Sequence, residues 1–173
     1  MLIEILLVFV LPALLVGAAV WDLMSYTIPN LLICAILAVF CTVLALSMSG
    51  EGLSWQDAGF HLLAGAVALL AGMALFAAGY IGGGDAKLFA AVSLWLGWNA
   101  LFEYTILATL LGGGLTLGLL AFRRIPLPGF LARQAWLARL ADPREGIPYG
   151  VALSAAALLV FPQTQLFRLI AGD

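Results

Sequence analysis

Two aspartates, Asp22 and Asp85, border long uncharged runs of this sequence, where a carboxylate is unusual. An unpaired charge at membrane depth costs roughly 2.5–3.5 kcal/mol on insertion scales, so each aspartate needs a reason to be there. One reason is structural: Asp22 would cap the turn toward Pro29, and Asp85 would be the N-cap of the next helix. The other reason is chemical, and position alone does not decide between the two.

The neighbours of the two aspartates favour chemistry. Asp85 directly follows three glycines at 82–84, which keep side chains away from its carboxylate and let a foreign peptide backbone come close. Asp22 lies seven residues before Pro29, whose fixed φ and missing N–H end the first helical unit. We therefore expect Asp22 at the mouth of a helical bundle and Asp85 on a surface that suits a peptide substrate.

A pair of carboxylates can hydrolyse a peptide without a metal ion. Two carboxylates about 3 Å apart share one proton, because like charges at that distance cannot both ionise. The ionised carboxylate then acts as general base toward water, and the protonated one acts as general acid toward the peptide carbonyl.

The sequence has few of the residues that other catalytic mechanisms require. His61 is the only histidine, so neither a Ser-His-Asp triad nor a paired-histidine zinc site is favoured, and we expect it to be structural, at the end opposite the aspartates. We expect Glu103 to be an exposed boundary residue. Cys34 and Cys41 are expected to be small buried residues on one helix face. We predict no metal site and no cofactor.

The composition indicates a membrane protein. Of the 173 residues, 65% are apolar and 9% are charged, and the mean hydropathy is +1.16. An average soluble domain carries roughly 25% charged residues, so a water-soluble globule is excluded. The net charge of −2, with only seven Lys and Arg residues, argues against a nucleic-acid partner, because such binding needs a basic face.

Six uncharged runs predict six transmembrane helices in an all-α, polytopic integral membrane protein. The runs cover residues 5–21, 31–50, 60–84, 88–102, 104–122 and 146–167. Six spans of about 20 residues leave roughly 50 residues for loops and termini. We therefore predict a single membrane-embedded domain over residues 1–173, with its working part in or against the bilayer.

The basic residues predict the orientation in the membrane, because loops rich in Lys and Arg stay in the cytoplasm. Lys87 lies between the third and fourth runs, and five arginines lie in the loop 123–146: Arg123, Arg124, Arg133, Arg139 and Arg144. A cytoplasmic location for that loop puts both aspartates on the cytoplasmic side. Lys87 would either help to neutralise the aspartates or extend toward the cytoplasm.

The same orientation makes predictions for aromatic and loop residues. Trp55, Trp95, Trp98 and Tyr104 would form an aromatic belt at the outer membrane boundary. Residues 130–141 alternate apolar positions with arginines, so an interfacial helix and a plain basic loop are both open for them.

Three motifs follow one another along the chain: Asp22 with Ile28-Pro29-Asn30, then Gly82-Gly83-Gly84-Asp85-Ala86-Lys87, then Ile147-Pro148-Tyr149-Gly150. This order resembles type IV prepilin peptidases of the GxGD intramembrane aspartic class, over most of the chain. The resemblance implies that Asp22 and Asp85 are the catalytic pair and that cleavage takes place at the cytoplasmic membrane boundary. It implies motif or substrate-binding roles for Gly82, Gly83, Gly84, Lys87, Pro29, Pro148 and Tyr149.

The function implied by the resemblance is removal of a short basic leader from a prepilin-like protein. The enzyme would lie in the cell inner (cytoplasmic) membrane with its active site facing the cytoplasm, and its partners would be the prepilin-like substrate and the lipid bilayer. Larger members of the family carry a further cytoplasmic region with paired cysteines, associated with N-methylation. This sequence lacks those cysteines, so it resembles the short form found with Flp/Tad-type pili, and N-methylation is unsupported.

Three other functions remain open at this point. An archaeal-type preflagellin peptidase shares the pair of aspartates. A small membrane transporter would use buried carboxylates to relay ions, and its carboxylates should then lie near the membrane midplane. A structural subunit of a secretion machine would tolerate the loss of either aspartate.

Overall fold

The computed structural model describes residues 2–48, 53–125 and 128–171, and these residues form helices with no strand. The long helices are α1 (Leu2–Ser25), α2 (Asn30–Met48), α3 (Trp55–Ala77) and α5 (Trp98–Phe122). The shorter helices are α4 (Gly83–Leu96), α6 (Gly129–Ala132), α7 (Ala135–Ala141), α8 (Tyr149–Val160) and α9 (Gln165–Ala171), and a 3₁₀ turn, Phe161–Gln163, joins the last two. The prediction of an all-α chain is confirmed.

Short connections bring several helix ends to one end of the bundle, which we call the aspartate end. Helix α1 ends and α2 begins within five residues, across Pro29. Helix α3 ends in a Schellman motif, in which Tyr80 N–H donates to Leu75 O at 2.9 Å and Gly79 has a φ of 77°. Because α4 starts only a few residues later, its first turn lies at the same end as the last turn of α3.

Helix α4 forms the centre of the core. Most of its residues are buried, and it packs against α2, α3, α5 and α8. The Trp95 indole N–H donates to Ile36 O on α2 at 3.1 Å, and its ring lies edge-on to Phe40 and Phe161. At the far end a single residue, Gly97, joins α4 to α5 with a φ of 76°. The most buried helix therefore starts at Asp85 and ends at the opposite end of the bundle.

Four helices are long and apolar enough to cross a membrane: the segments Val8–Ser25, Asn30–Met48, Trp55–Ala77 and Trp98–Phe122. They carry many exposed large apolar side chains, as lipid-facing helices do. The prediction of six transmembrane helices is not confirmed. At 1.5 Å per residue, the 14 residues of α4 reach about 21 Å and the 12 of α8 about 18 Å, against a hydrocarbon core of about 30 Å.

Two predictions about boundary residues were wrong. Trp95 and Tyr104, expected in an outer aromatic belt, are fully buried, whereas Trp55 and Trp98 are exposed. Hydropathy does not distinguish a boundary aromatic residue from a core one, since both kinds of residue stand at the ends of apolar runs in the sequence.

The prediction for the two cysteines was right in part. Cys34 and Cys41 share one face of α2 as expected, but that face is exposed rather than buried.

The basic segment after α5 folds into short helices. Residues 129–132 and 135–141 are helical, with a break at 133–134, so neither a continuous interfacial helix nor a plain loop describes it. Arg123 holds the segment against α5: its Nε donates to Leu140 O at 2.9 Å and its Nη2 donates to Gly146 O at 2.7 Å. The chain thus returns to the aspartate end, where α8 begins.

Candidate active site

A cavity of about 640 Å³ opens at the aspartate end, and both Asp22 and Asp85 line it. Four parts of the chain form its walls: the end of α1 with the following turn, the link from α3 to α4, the first turn of α4, and the segment before α8. Its other polar lining includes Asn30, Lys87 and Glu145. The fold therefore brings together two carboxylates that are 63 residues apart in the sequence.

Asp22 lies one turn before the end of α1 and is only 4% exposed. Its Oδ2 accepts the backbone N–H of Gly150 at 2.7 Å. Gly150 is the second residue of α8, so the carboxylate lies at the positive end of that helix. A helix N-terminus stabilises negative charge, and here the Gly150 N–H also fixes the position of one carboxylate oxygen.

Gly150 is glycine because the carboxylate leaves no room for a side chain. A Cβ at this position would come within 2.8 Å of Asp22 Oδ2 and 2.9 Å of Ile28 Cδ1. Ile28 is also close to α4, since a Cβ on Gly84 would lie 3.4 Å from Ile28 Cβ. The turn after α1 is therefore wedged between the first turns of α4 and α8, and Ile28 is buried there.

Asp85 is held at the start of α4. Its Oδ2 accepts the N–H of Gly82 at 3.2 Å. The expectation that Asp85 is the N-cap of this helix is wrong: Gly82 holds that position, and Asp85 is the third helical residue, whose carboxylate reaches back to the N-cap N–H. A Cβ on Gly82 would lie 2.9 Å from that oxygen. Burial and then the negative charge of Asp22 raise the pKa of the Asp85 carboxyl to about 6, against the lowering effect of the Gly82 hydrogen bond. The two aspartates therefore influence each other electrostatically, and Asp85 keeps its proton more readily than an ordinary carboxyl.

The Lys87 side chain is exposed and hydrogen-bonded. Its Nζ donates to Asn30 Oδ1 at 3.0 Å, which links the first turn of α4 to the first residue of α2. Asn30 directly follows Pro29, and Pro29 O accepts the N–H of Leu32 at 3.0 Å in the first turn of α2. The contact therefore connects two of the three motifs.

The remaining predicted positions surround the cavity. Gly83 lies against the ring of Phe76, and a Cβ there would be 3.4 Å from it. Pro148 is buried and precedes α8. The Tyr149 ring packs on Gly112 of α5, and its hydroxyl lies 3.2 Å from Thr116 Oγ1.

Three residues of the site escaped the sequence predictions. Gly150 and Ile28 stand inside the quoted motifs, but only their contacts with Asp22 and with α4 give them a role. Tyr26 lines the cavity and has a φ of 56°, a conformation that non-glycine residues rarely adopt. Two features of the sequence could have indicated this tight turn: the nearby Pro29 and the short connection between α1 and α2.

The predicted structural residue His61 lies far from the aspartates. It is buried near the end of α4, where its Nδ1 is 2.6 Å from Leu94 O. A separate polar cavity of about 610 Å³ at that opposite end is lined by His61, Asp57 and the exposed Glu103. Within the described ranges there is no group of three or more His, Cys, Asp or Glu side chains arranged to hold a metal ion.

The chain was compared with known proteins. The sequence model of the type IV leader peptidase family matches residues 9–117, a range that contains both Asp22 and Asp85 and ends before α8. Neither the curated proteins nor the solved structures gave a match. Because the family match extends over more than half of the sequence, the chain belongs to the type IV leader peptidase family.

Proposed function

We propose that this protein is a membrane aspartic endopeptidase that cleaves the short leader from type IV prepilin-like proteins at the cytoplasmic membrane boundary. The observation that carries the proposal is the meeting of Asp22 and Asp85 in one cavity, where burial and then the negative charge of Asp22 raise the pKa of Asp85. Each carboxylate also accepts a backbone N–H at the start of a short helix. Membership of a peptidase family supplies the reaction class.

The pair performs hydrolysis by sharing one proton. In the free enzyme the pair holds one proton, and the positive end of α8 beside Asp22 favours the negative charge on Asp22 and the proton on Asp85. Asp22 takes a proton from water as the oxygen attacks the scissile carbonyl, and Asp85 gives its proton to the carbonyl oxygen. The tetrahedral intermediate then collapses: its C–N bond breaks, the leaving nitrogen takes a proton from Asp22, and Asp85 regains one from the intermediate hydroxyl.

The other motif residues hold this geometry and admit the substrate. Gly82 and Gly150 keep side chains off the two Oδ2 atoms, where a Cβ would come within 3 Å. Pro29 and Pro148 set the starts of α2 and α8. The cavity is open, and the glycines at 82–84 carry no side chains, so there is space for an extended peptide backbone to bind.

The aspartate end faces the cytoplasm of the cell inner membrane in this proposal. Of the seven basic residues, Lys87 lies near the start of α4 and five arginines lie in the segment 123–146 between α5 and α8, whereas Arg168 lies in α9. A leader in the cytoplasm and an apolar segment in the membrane would then meet at the carboxylates. Asp22 and Asp85 lie close to helix ends rather than at mid-height, which argues against an ion-relay transporter.

The direct test is cleavage of a defined substrate by purified protein in detergent. The substrate is a prepilin-like protein with a basic leader followed by an apolar segment, and mass spectrometry locates the cut. We expect one cut at the junction of leader and apolar segment. An intact substrate after prolonged incubation with folded enzyme would overturn the proposal.

A further inference from the structure

A second cavity of about 480 Å³ lies beside the first and is lined mainly by apolar groups. We call it the lateral groove. Its sides on α3 and α5 carry the small and hydroxyl residues Ala68, Ala71, Thr105, Ala108, Thr109 and Gly113, together with the larger Val67, Leu75 and Leu101. Phe89 of α4 and Leu153 of α8 also line it. Most of these α3 and α5 residues are exposed, so the groove opens sideways between two membrane-capable helices.

The threonines do not make the lateral groove polar. Thr105 Oγ1 donates to Leu101 O and Thr109 Oγ1 donates to Thr105 O, each at 2.7 Å within α5. Their hydroxyls are therefore satisfied within the helix. Gly113 leaves the groove wide, since a Cβ there would meet no atom within 4 Å.

One end of the lateral groove is the candidate active site. Asp85, Tyr149, Tyr80 and Ile81 line both the groove and the carboxylate cavity. The Tyr149 ring, seated on Gly112, therefore stands where the two spaces join. A chain that leaves the carboxylates past this ring enters an apolar channel along α5.

We propose that the lateral groove binds the apolar segment of the substrate as a helix, directly after the cleaved bond. This inference rests on the proposed function. A segment within the bilayer must satisfy its backbone groups internally, which a helix does, and small groove residues allow two helices to approach closely. The continuity with Asp85 selects this occupant over a lipid chain or a second copy of the protein, neither of which brings a peptide bond to the carboxylates.

Two neighbouring glycines provide the test and its control. Gly113→Leu fills the groove, whereas Gly114→Leu adds the same side chain one position away, at a residue that does not line it. Both positions have open space for a Cβ. We expect Gly113→Leu to raise KM for the full substrate by about tenfold or more, which corresponds to about 1.4 kcal/mol of binding. Gly114→Leu should match the wild type, and equal KM values for all three proteins would overturn the proposal.

A short peptide that spans the cleavage site but lacks the apolar segment separates this inference from the proposed function. Gly113→Leu should cleave it at the wild-type rate. Failure of the wild-type protein on both substrates would contradict the proposed function itself, whereas an unchanged KM for the full substrate in Gly113→Leu contradicts only the groove.

Disulfide crosslinking tests the occupant without relying on the leucine variant. In a Cys34→Ala/Cys41→Ala background, Gly113→Cys should crosslink to a single cysteine placed in the first turns of the substrate's apolar segment, and Gly114→Cys should not. Equal crosslinking of both variants, crosslinking only between two copies of the enzyme, or none at all would overturn the proposal.

Discussion

The backbone N–H of Gly150 donates to Asp22 Oδ2 at 2.7 Å, across 128 positions of sequence. The contact joins the last turn of α1 to the first turn of α8 and is buried. A charge-assisted hydrogen bond of this length to an ionised carboxylate is strong, and the α8 N-terminus adds its dipole. Asp22 therefore has a fixed orientation before any substrate binds.

The replacements Asp22→Asn and Asp85→Asn should each reduce cleavage by about 10³-fold or more, because neither carboxylate can complete the proton transfers alone. The double variant should be no worse than either single one, since residues that act as a unit are strongly non-additive. Asn can still accept from Gly150 or Gly82, so both variants should purify as folded protein. Near wild-type turnover by either single variant would exclude the proposed mechanism.

Gly150→Ala should lower the cleavage rate without preventing folding. The new Cβ would lie 2.8 Å from Asp22 Oδ2, and relieving that contact must displace the carboxylate or the start of α8. Overpacking of this kind typically costs about 1–3 kcal/mol, and if that cost falls on the transition state the rate loss is about fivefold to 150-fold. Gly118→Ala, where a Cβ meets nothing within 4 Å, is the matched control and should behave as wild type. Equal rates for the two variants would refute a close fit around Asp22.

The pH dependence of kcat/KM should be bell-shaped, with an alkaline limb near pH 6. The pKa of Asp85 is raised to about 6, so this carboxyl keeps its proton below that pH and loses it above. Activity therefore falls as the pH rises, because the general acid disappears and two negative charges remain. The charge of Asp22 contributes to that pKa, so the limb reports the coupled pair and not Asp85 in isolation. Bound substrate excludes water, so the alkaline limb of kcat should lie at higher pH. A kcat/KM that is flat from pH 4 to 9 would contradict a shared proton.

Cleavage should persist in excess EDTA. The sequence has one histidine and no paired cysteines, and in the proposed mechanism the two carboxylates activate water without a metal ion. The measurement is the initial rate on a prepilin-like substrate before and after dialysis against chelator. Loss of activity that zinc restores would replace the aspartic mechanism with a metal-dependent one.

Reporter fusions should place the aspartate end in the cytoplasm. A reporter fused after Arg133, between α6 and α7, should report a cytoplasmic location. One fused after Glu51, which lies outside the described residues, should report an external location. The reverse pattern would put the carboxylates on the wrong side for a cytoplasmic leader.

Local sequence information predicted the class of protein and singled out the two carboxylates. Apolar composition and charge are properties of the sequence itself, so a helical membrane protein could be predicted from them without knowledge of any tertiary contact. Asp22 and Asp85 stood out because charges are costly beside apolar runs. Their motif context identified the peptidase family, which the family match over residues 9–117 confirms. Their catalytic roles stay a prediction.

Only the tertiary structure decided what surrounds those carboxylates. Hydropathy counts residues along one dimension, so it predicted a short membrane span over residues 88–102. In the structure this run is divided at Gly97 between α4, which is short and mostly buried among its neighbours, and the start of α5. It also assigned Trp95 to a membrane boundary, whereas a hydrogen bond to Ile36 O holds the indole in the core. The Gly150–Asp22 contact depends on the packing of α8 against α1, and such long-range pairing cannot be deduced from the spacing of residues within either helix.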